Sequence, residues 1–111
     1  GNKLRKADRL AKKYLSEAKK QLGTKEAFYV ALEKALHNYL KAKLRIETSD
    51  ISKEKITELL NRKSVNESTI HSFIEVFNSC DMARYSPVSV VEMKHDYEKS
   101  KLVITQIDKQ L

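Results

Sequence analysis

The sequence contains no tryptophan, one cysteine, one proline and two glycines among its 111 residues. A lone cysteine cannot pair within the chain, which excludes a disulfide-stapled secreted scaffold and agrees with a reducing compartment. The scarcity of glycine and proline argues against sandwiches and barrels, whose many strands need turn residues at short intervals. No apolar run approaches the roughly 18 residues that a bilayer span requires, and no signal-peptide pattern opens the chain. The opening Gly1-Asn2, without Met, has the look of a piece of a longer protein. A chain of this size buries enough surface for one core without metal or disulfide, so one soluble domain over 1–111 is expected.

What remains is helical. Leu4, Ala7, Ala11, Tyr14, Leu15, Ala18 and Leu22 recur at spacings of three and four and predict a first helix over 3–22, which Gly23 stops. Thr24 is a candidate N-cap for a second helix ending near Lys43, with Phe28, Leu32, Leu36, Tyr39 and Leu40 on its stripe. The cluster Glu47-Thr48-Ser49-Asp50 reads as a loop. Ser52 then caps a third helix to about Arg62, with Ile51 and Ile56 as a hydrophobic staple. Asn66 starts a fourth, carrying Ile70, Phe73, Ile74, Phe77, Cys80 and Ala83 and closing before Pro87 near Arg84-Tyr85. Ser89 and Glu92 form a capping box for a fifth, whose stripe Val90, Met93, Tyr97, Ile104, Ile107 and Leu111 is interrupted at Ser100. The fold class is therefore all-α, a compact bundle of about five helices with a basic first helix (3–22) and a helical core (24–111). Leu36, Leu40, Ile74 and Phe77 are expected to be buried.

Charge is unevenly placed. Residues 1–22 hold eight cations against Asp8 and Glu17, so six of the seven net positive charges lie there. Lys3, Arg5, Lys6, Arg9, Lys12 and Lys13 are the candidate contacts to an anionic membrane surface, as on a segment leaving the cytoplasmic side of a span. The predicted helix, turn and helix around Ser64-Val65 imitate a DNA-binding motif, but a recognition helix from Asn66 would carry Glu67, Glu75 and Asp81 with no cation before Arg84, which argues against nucleic acid there. His37, His71, His95 and Cys80 fall on different elements without ligand spacing, and no phosphate-cradling glycine loop is present. Converging groups are what an active site requires, so a non-enzyme without metal or cofactor is expected. Cys80 reads as a small core residue and His71 as a surface partner of Glu75.

The run Cys80-Asp81-Met82-Ala83-Arg84-Tyr85-Ser86-Pro87 closes a helix with an Ala-Arg-Tyr-x-Pro signature, and upstream stand Phe28 to Leu40 and the Ala-Lys-Leu of residues 42–44. With the helix order, these resemble the C-terminal domain of BatD-type proteins, the Bacteroides aerotolerance or oxygen-tolerance family, over about Arg5 to Lys109. The family usually has Ala where this chain has Ser86. The resemblance implies a single-span protein of the cytoplasmic membrane with this helical domain on the cytoplasmic side. It further implies partners encoded alongside: von Willebrand factor A domain proteins, a tetratricopeptide-repeat protein and a MoxR-type AAA+ ATPase. It supplies no catalytic residue. Arg84, Tyr85 and Pro87 are the candidate motif: either a joint, with Arg84 serving the carbonyls that end the fourth helix and held by Asp81 while the Tyr85 ring packs over the turn, or a partner-binding surface. A protein–protein interaction module is the favoured function, with nucleic-acid binding through the basic first helix as the alternative.

Overall fold

Six helices follow one another without a strand among the described residues: α1 (Asn2–Tyr14), α2 (Ser16–Lys20), α3 (Lys25–Leu44), α4 (Lys53–Arg62), α5 (Glu67–Met82) and α6 (Val90–Gln110). The computed structural model describes residues 2–46 and 51–111, with side chains from residue 6 onward; the sequence-predicted loop at Glu47-Thr48-Ser49-Asp50 lies outside the described residues. The all-α bundle is as the apolar spacing requires, with one helix more than the sequence suggests. The continuous helix over 3–22 is broken at Leu15, whose φ of −107° and ψ of 6° leave the helical basin. Its N–H still donates to the Ala11 carbonyl (2.7 Å), and its own carbonyl accepts from Lys19 N–H (3.0 Å), so the break costs little hydrogen bonding. It serves packing: α1 lies against α6 and α2 against α3, and Ala11, Leu15 and Ala18 are all buried.

The chain turns where its chemistry allows. Gly23 ends the α2 turn at φ +99°, a left-handed conformation that L side chains avoid. Thr24 holds the N-cap position of α3, but its hydroxyl makes no capping bond. Ser52 and Ser89 do cap: their Oγ atoms accept from Lys55 and Glu92 N–H, both at 3.1 Å. The Ser89 hydroxyl also donates to the Glu92 carboxylate (3.2 Å). Asn66 caps nothing with its side chain; its N–H instead donates to Gln110 Oε1 (2.6 Å) at the far end of α6.

One cluster of buried side chains draws on all six helices. Phe28, Leu32, Leu36, Tyr39 and Leu40 present the buried face of α3 to it, and Phe73, Val76, Phe77 and Cys80 that of α5. Ile74, expected in the core, is only half-buried, because the packing face of α5 runs through Val76 instead. Val90 and Leu111, expected on the α6 stripe, are exposed at its two ends. Ser100, expected to interrupt that stripe, is fully buried within it. Its hydroxyl donates to the Asp96 carbonyl (2.7 Å), one turn back, which satisfies the only polar atom it brings into the core.

Candidate functional site

Along the outward side of α3 runs a groove walled by the C-terminal end of α5. One part, a cavity of about 250 Å³, is lined by Tyr29, Val30, Cys80 and Ala83, with Lys25 and Arg84 at its edge. The adjoining part, about 470 Å³, is lined by Lys34, His37, Asn38 and Lys41. Val30, Glu33 and Arg84 line both. Arg84 crosses the groove to Glu33, Nη2 to Oε2 at 3.4 Å.

Arg84 therefore does not do what the sequence suggests. The carbonyls that end α5 are served by the chain's own N–H groups: Ala83 donates to Ser79, Arg84 to Asp81 and Tyr85 to Met82, at 3.0, 3.2 and 3.0 Å. The guanidinium is left to reach Glu33 across the groove. Asp81, expected to hold it, pairs instead with Lys53 of α4 (2.5 Å). Tyr85, expected to pack over the joint, is 86 % exposed. The joint is held from elsewhere, by Lys25 Nζ donating to the Ser86 carbonyl (3.1 Å), while Pro87 stands exposed beside it. Of the seven exposed large apolar side chains among the described residues, Met82 (62 %), Tyr85, Val90 and Val91 (76 %) fall within ten residues of sequence around this link, and Val30 (66 %) lines the groove. Sequence reading missed Val30 and Met82 as exposed; their signal is that both are apolar yet fall off the stripes of their helices.

The basic first helix divides. Lys6 is tied into the fold by Asp108 (3.1 Å), a carboxylate that also pairs with Lys43 (3.0 Å) and accepts from the Tyr39 hydroxyl (3.2 Å). Burial alone would raise the Asp108 carboxyl, but hydrogen bonds from Lys43 and Lys6 outweigh it and hold it below the usual carboxylate range. Arg9, Lys12 and Lys13 are exposed, the last with its ammonium 5.4 Å from the centre of the Tyr14 ring. Lys19 and Lys20 of α2 are exposed as well. The side chains of Lys3 and Arg5 lie outside the described residues.

The titratable candidates stay apart. Cys80 is buried and its thiol is pushed up, chiefly by burial and then by the charges of Glu33, Asp96 and Asp81. The His37 ring packs edge-on against Phe77 (5.1 Å), and burial lowers its pKa against the opposing pull of Glu33. His71 pairs loosely with Glu75 at 3.8 Å. Among the described residues, no group of three His, Cys, Asp or Glu side chains is placed to hold a metal ion. The N-terminal turn of α5, which a helix-turn-helix would present to DNA, is engaged by Gln110: its amide accepts from Asn66 N–H and donates to the Thr69 hydroxyl (3.1 Å). No described helix is long and apolar enough to cross a membrane. Comparison with protein-family models, with curated proteins and with solved structures finds no match to this chain.

Proposed function

We propose that the chain is a non-enzymatic protein–protein interaction module, working on the cytoplasmic face of a membrane-anchored aerotolerance protein of the BatD type. The observation that carries this reading is the exposure of Met82, Tyr85, Val90 and Val91 on the chain either side of Arg84, which itself lines the groove. Aromatic, Met and Arg side chains are the types enriched at interface centres, and an exposed Tyr next to an Arg has no role in holding the bundle together. The partners are those the family resemblance implies: von Willebrand factor A domain proteins, a tetratricopeptide-repeat protein and a MoxR-type ATPase. The exposed cations of α1 and α2 suit an auxiliary contact with an anionic membrane surface.

A second reading is favoured by one feature, the row Arg9, Lys12, Lys13, Lys19 and Lys20, whose charges are also those of a nucleic-acid contact. Affinity capture from native membranes separates the two. Capture of these partners with the full-length protein, lost on deletion of this domain and on Tyr85→Ser, is the expected result. Unchanged capture on deletion overturns the proposal. Tight duplex DNA binding with a steep salt dependence, abolished by Lys12→Gln with Lys13→Gln, establishes the second reading in its place.

A further inference from the structure

Lys34, His37, Asn38 and Lys41 stand at positions i, i+3, i+4 and i+7 of α3 and so share one face, which lines the 470 Å³ part of the groove. Arg84 adds a guanidinium from the opposite wall. Every polar side chain there carries N–H groups except Glu33, and that carboxylate is already engaged by Arg84. Among the described residues, neither Lys34 nor Lys41 has an ion-pair partner. His37 Nδ1 is buried without a hydrogen bond. Buried polar atoms in folded proteins are nearly always partnered, so this one marks the floor of the groove as incomplete. Next to these donors, and sharing Val30, Glu33 and Arg84 with them, lies the smaller cavity, where Val30, Cys80 and Ala83 supply apolar surface beside Tyr29, Lys25 and Glu26.

We infer that this groove takes an acidic peptide segment, its carboxylates on Lys34, Lys41 and Arg84 and one apolar side chain in the cavity beside Val30 and Ala83. The inference rests on the interaction-module reading and names the chemistry of the partner. A second copy of the chain is opposed by the repulsion between two molecules of net charge +7, six units of which sit on residues 1–22 of each. A nucleic acid would need cations spaced along a backbone, whereas these surround one concavity with an apolar neighbour. A bilayer surface is too flat to reach into the cavity. A peptide with adjacent acidic and apolar side chains meets both halves of the groove, and electrostatic attraction would hasten its encounter.

The test is fluorescence anisotropy of the full chain with a short labelled peptide of Asp and Glu residues flanking one Leu. The expected result is saturable binding, weakened about tenfold by Lys34→Gln with Lys41→Gln and weakened again when Leu is replaced by Ser in the peptide. The Asn and Gln version of the peptide should not bind. Lys34→Glu, at an exposed position, gives the same answer if the double substitution disturbs the fold, as a melting curve would show. Equal binding by the lysine variants, or loss of binding only on Arg9→Gln with Lys12→Gln and Lys13→Gln, overturns the inference. So does binding that ignores the Leu, or an oligonucleotide or inorganic phosphate that displaces the peptide fully. Failure here together with domain-dependent capture from membranes would remove the acidic occupant and leave the interaction module standing. Peptide binding as expected, together with capture unchanged by deletion of the domain, would do the reverse.

Discussion

Asp108 shows how much can depend on one side chain. Its carboxylate is 14 % exposed and ties α1 to α3 through Lys6 and Lys43, while the Tyr39 hydroxyl donates to it from the core. Asp108→Asn keeps the shape but removes the charge, leaving two ammonium groups close together. Because both lysines can still reach water, the expected loss is about 2 kcal/mol, below that of a fully buried pair, read from a urea midpoint. Phe77→Ala tests a different term. The ring is buried, against Phe73 and His37, and removing it should cost about 3 kcal/mol through lost transfer energy and a cavity. Phe77 was legible in the sequence because an apolar residue on a helical stripe has one stable place to go. Asp108 was not, because its partners lie 65 and 102 positions away and a carboxylate near a helix end normally faces water. Ser100 misleads in the same way. A hydroxyl that bonds to its own preceding turn behaves in a core as a small apolar residue, and periodicity cannot see that bond.

At the level of elements, the serine caps were readable, whereas the capping bonds expected of Thr24 and Asn66 are not made, and bends were not readable. Ser52 and Ser89 sit before apolar stripes with the expected spacing, and their hydroxyls take the expected N–H groups. The break at Leu15 has no local signal, since no glycine or proline marks it; α6 and α3 together demand it. The exposure of Tyr85 escaped for a related reason. The turn after α5 satisfies its own carbonyls, so neither Arg84 nor Tyr85 is needed there. The link from α4 to α5 carries a prediction of its own. Val65 N–H donates to the Leu60 carbonyl and Ser64 N–H to that of Asn61, at 3.1 and 3.0 Å, and Val65 and Leu60 are both buried. This is the Schellman arrangement, with Ser64 at φ +62° in the left-handed position that glycine prefers. Ser64→Gly relieves a strain of about 1 kcal/mol and gives back part of it to the more flexible unfolded chain, so a net gain of about 0.5 kcal/mol is expected. A lower melting temperature for the glycine variant would refute the assignment.

For the whole molecule, the shifted groups define a stability plateau with two falling sides. Burial lowers the pKa of His37 in the folded state, so below about pH 6.5 the unfolded chain binds the proton more readily and stability drops. Further down, the carboxylates of Asp8, Glu75 and Asp108 are held low by Lys101, by Lys99, and by Lys43 with Lys6. Their contribution is complete above the unfolded carboxylate range near pH 4 and is lost as pH falls through their folded values. On the alkaline side the signs reverse. Cys80 keeps its proton in the fold because it is buried, whereas the unfolded thiol gives it up above about pH 8.5, so stability declines from there. Tyr29 and Tyr39, raised by burial and by Asp96 and Asp108, and Lys43 and Lys101, raised by Asp108 and Asp8, deepen the decline above about pH 10. Thermal melts should thus show a plateau between about pH 6.5 and 8.5. His37→Gln should extend its acid edge toward pH 4, and Cys80→Ala its alkaline edge toward pH 10, even though each substitution lowers the plateau itself. A melting temperature that falls with the same acid profile in His37→Gln as in the unsubstituted chain would show that the ring titrates freely and that its burial against Phe77 does not bear on folding.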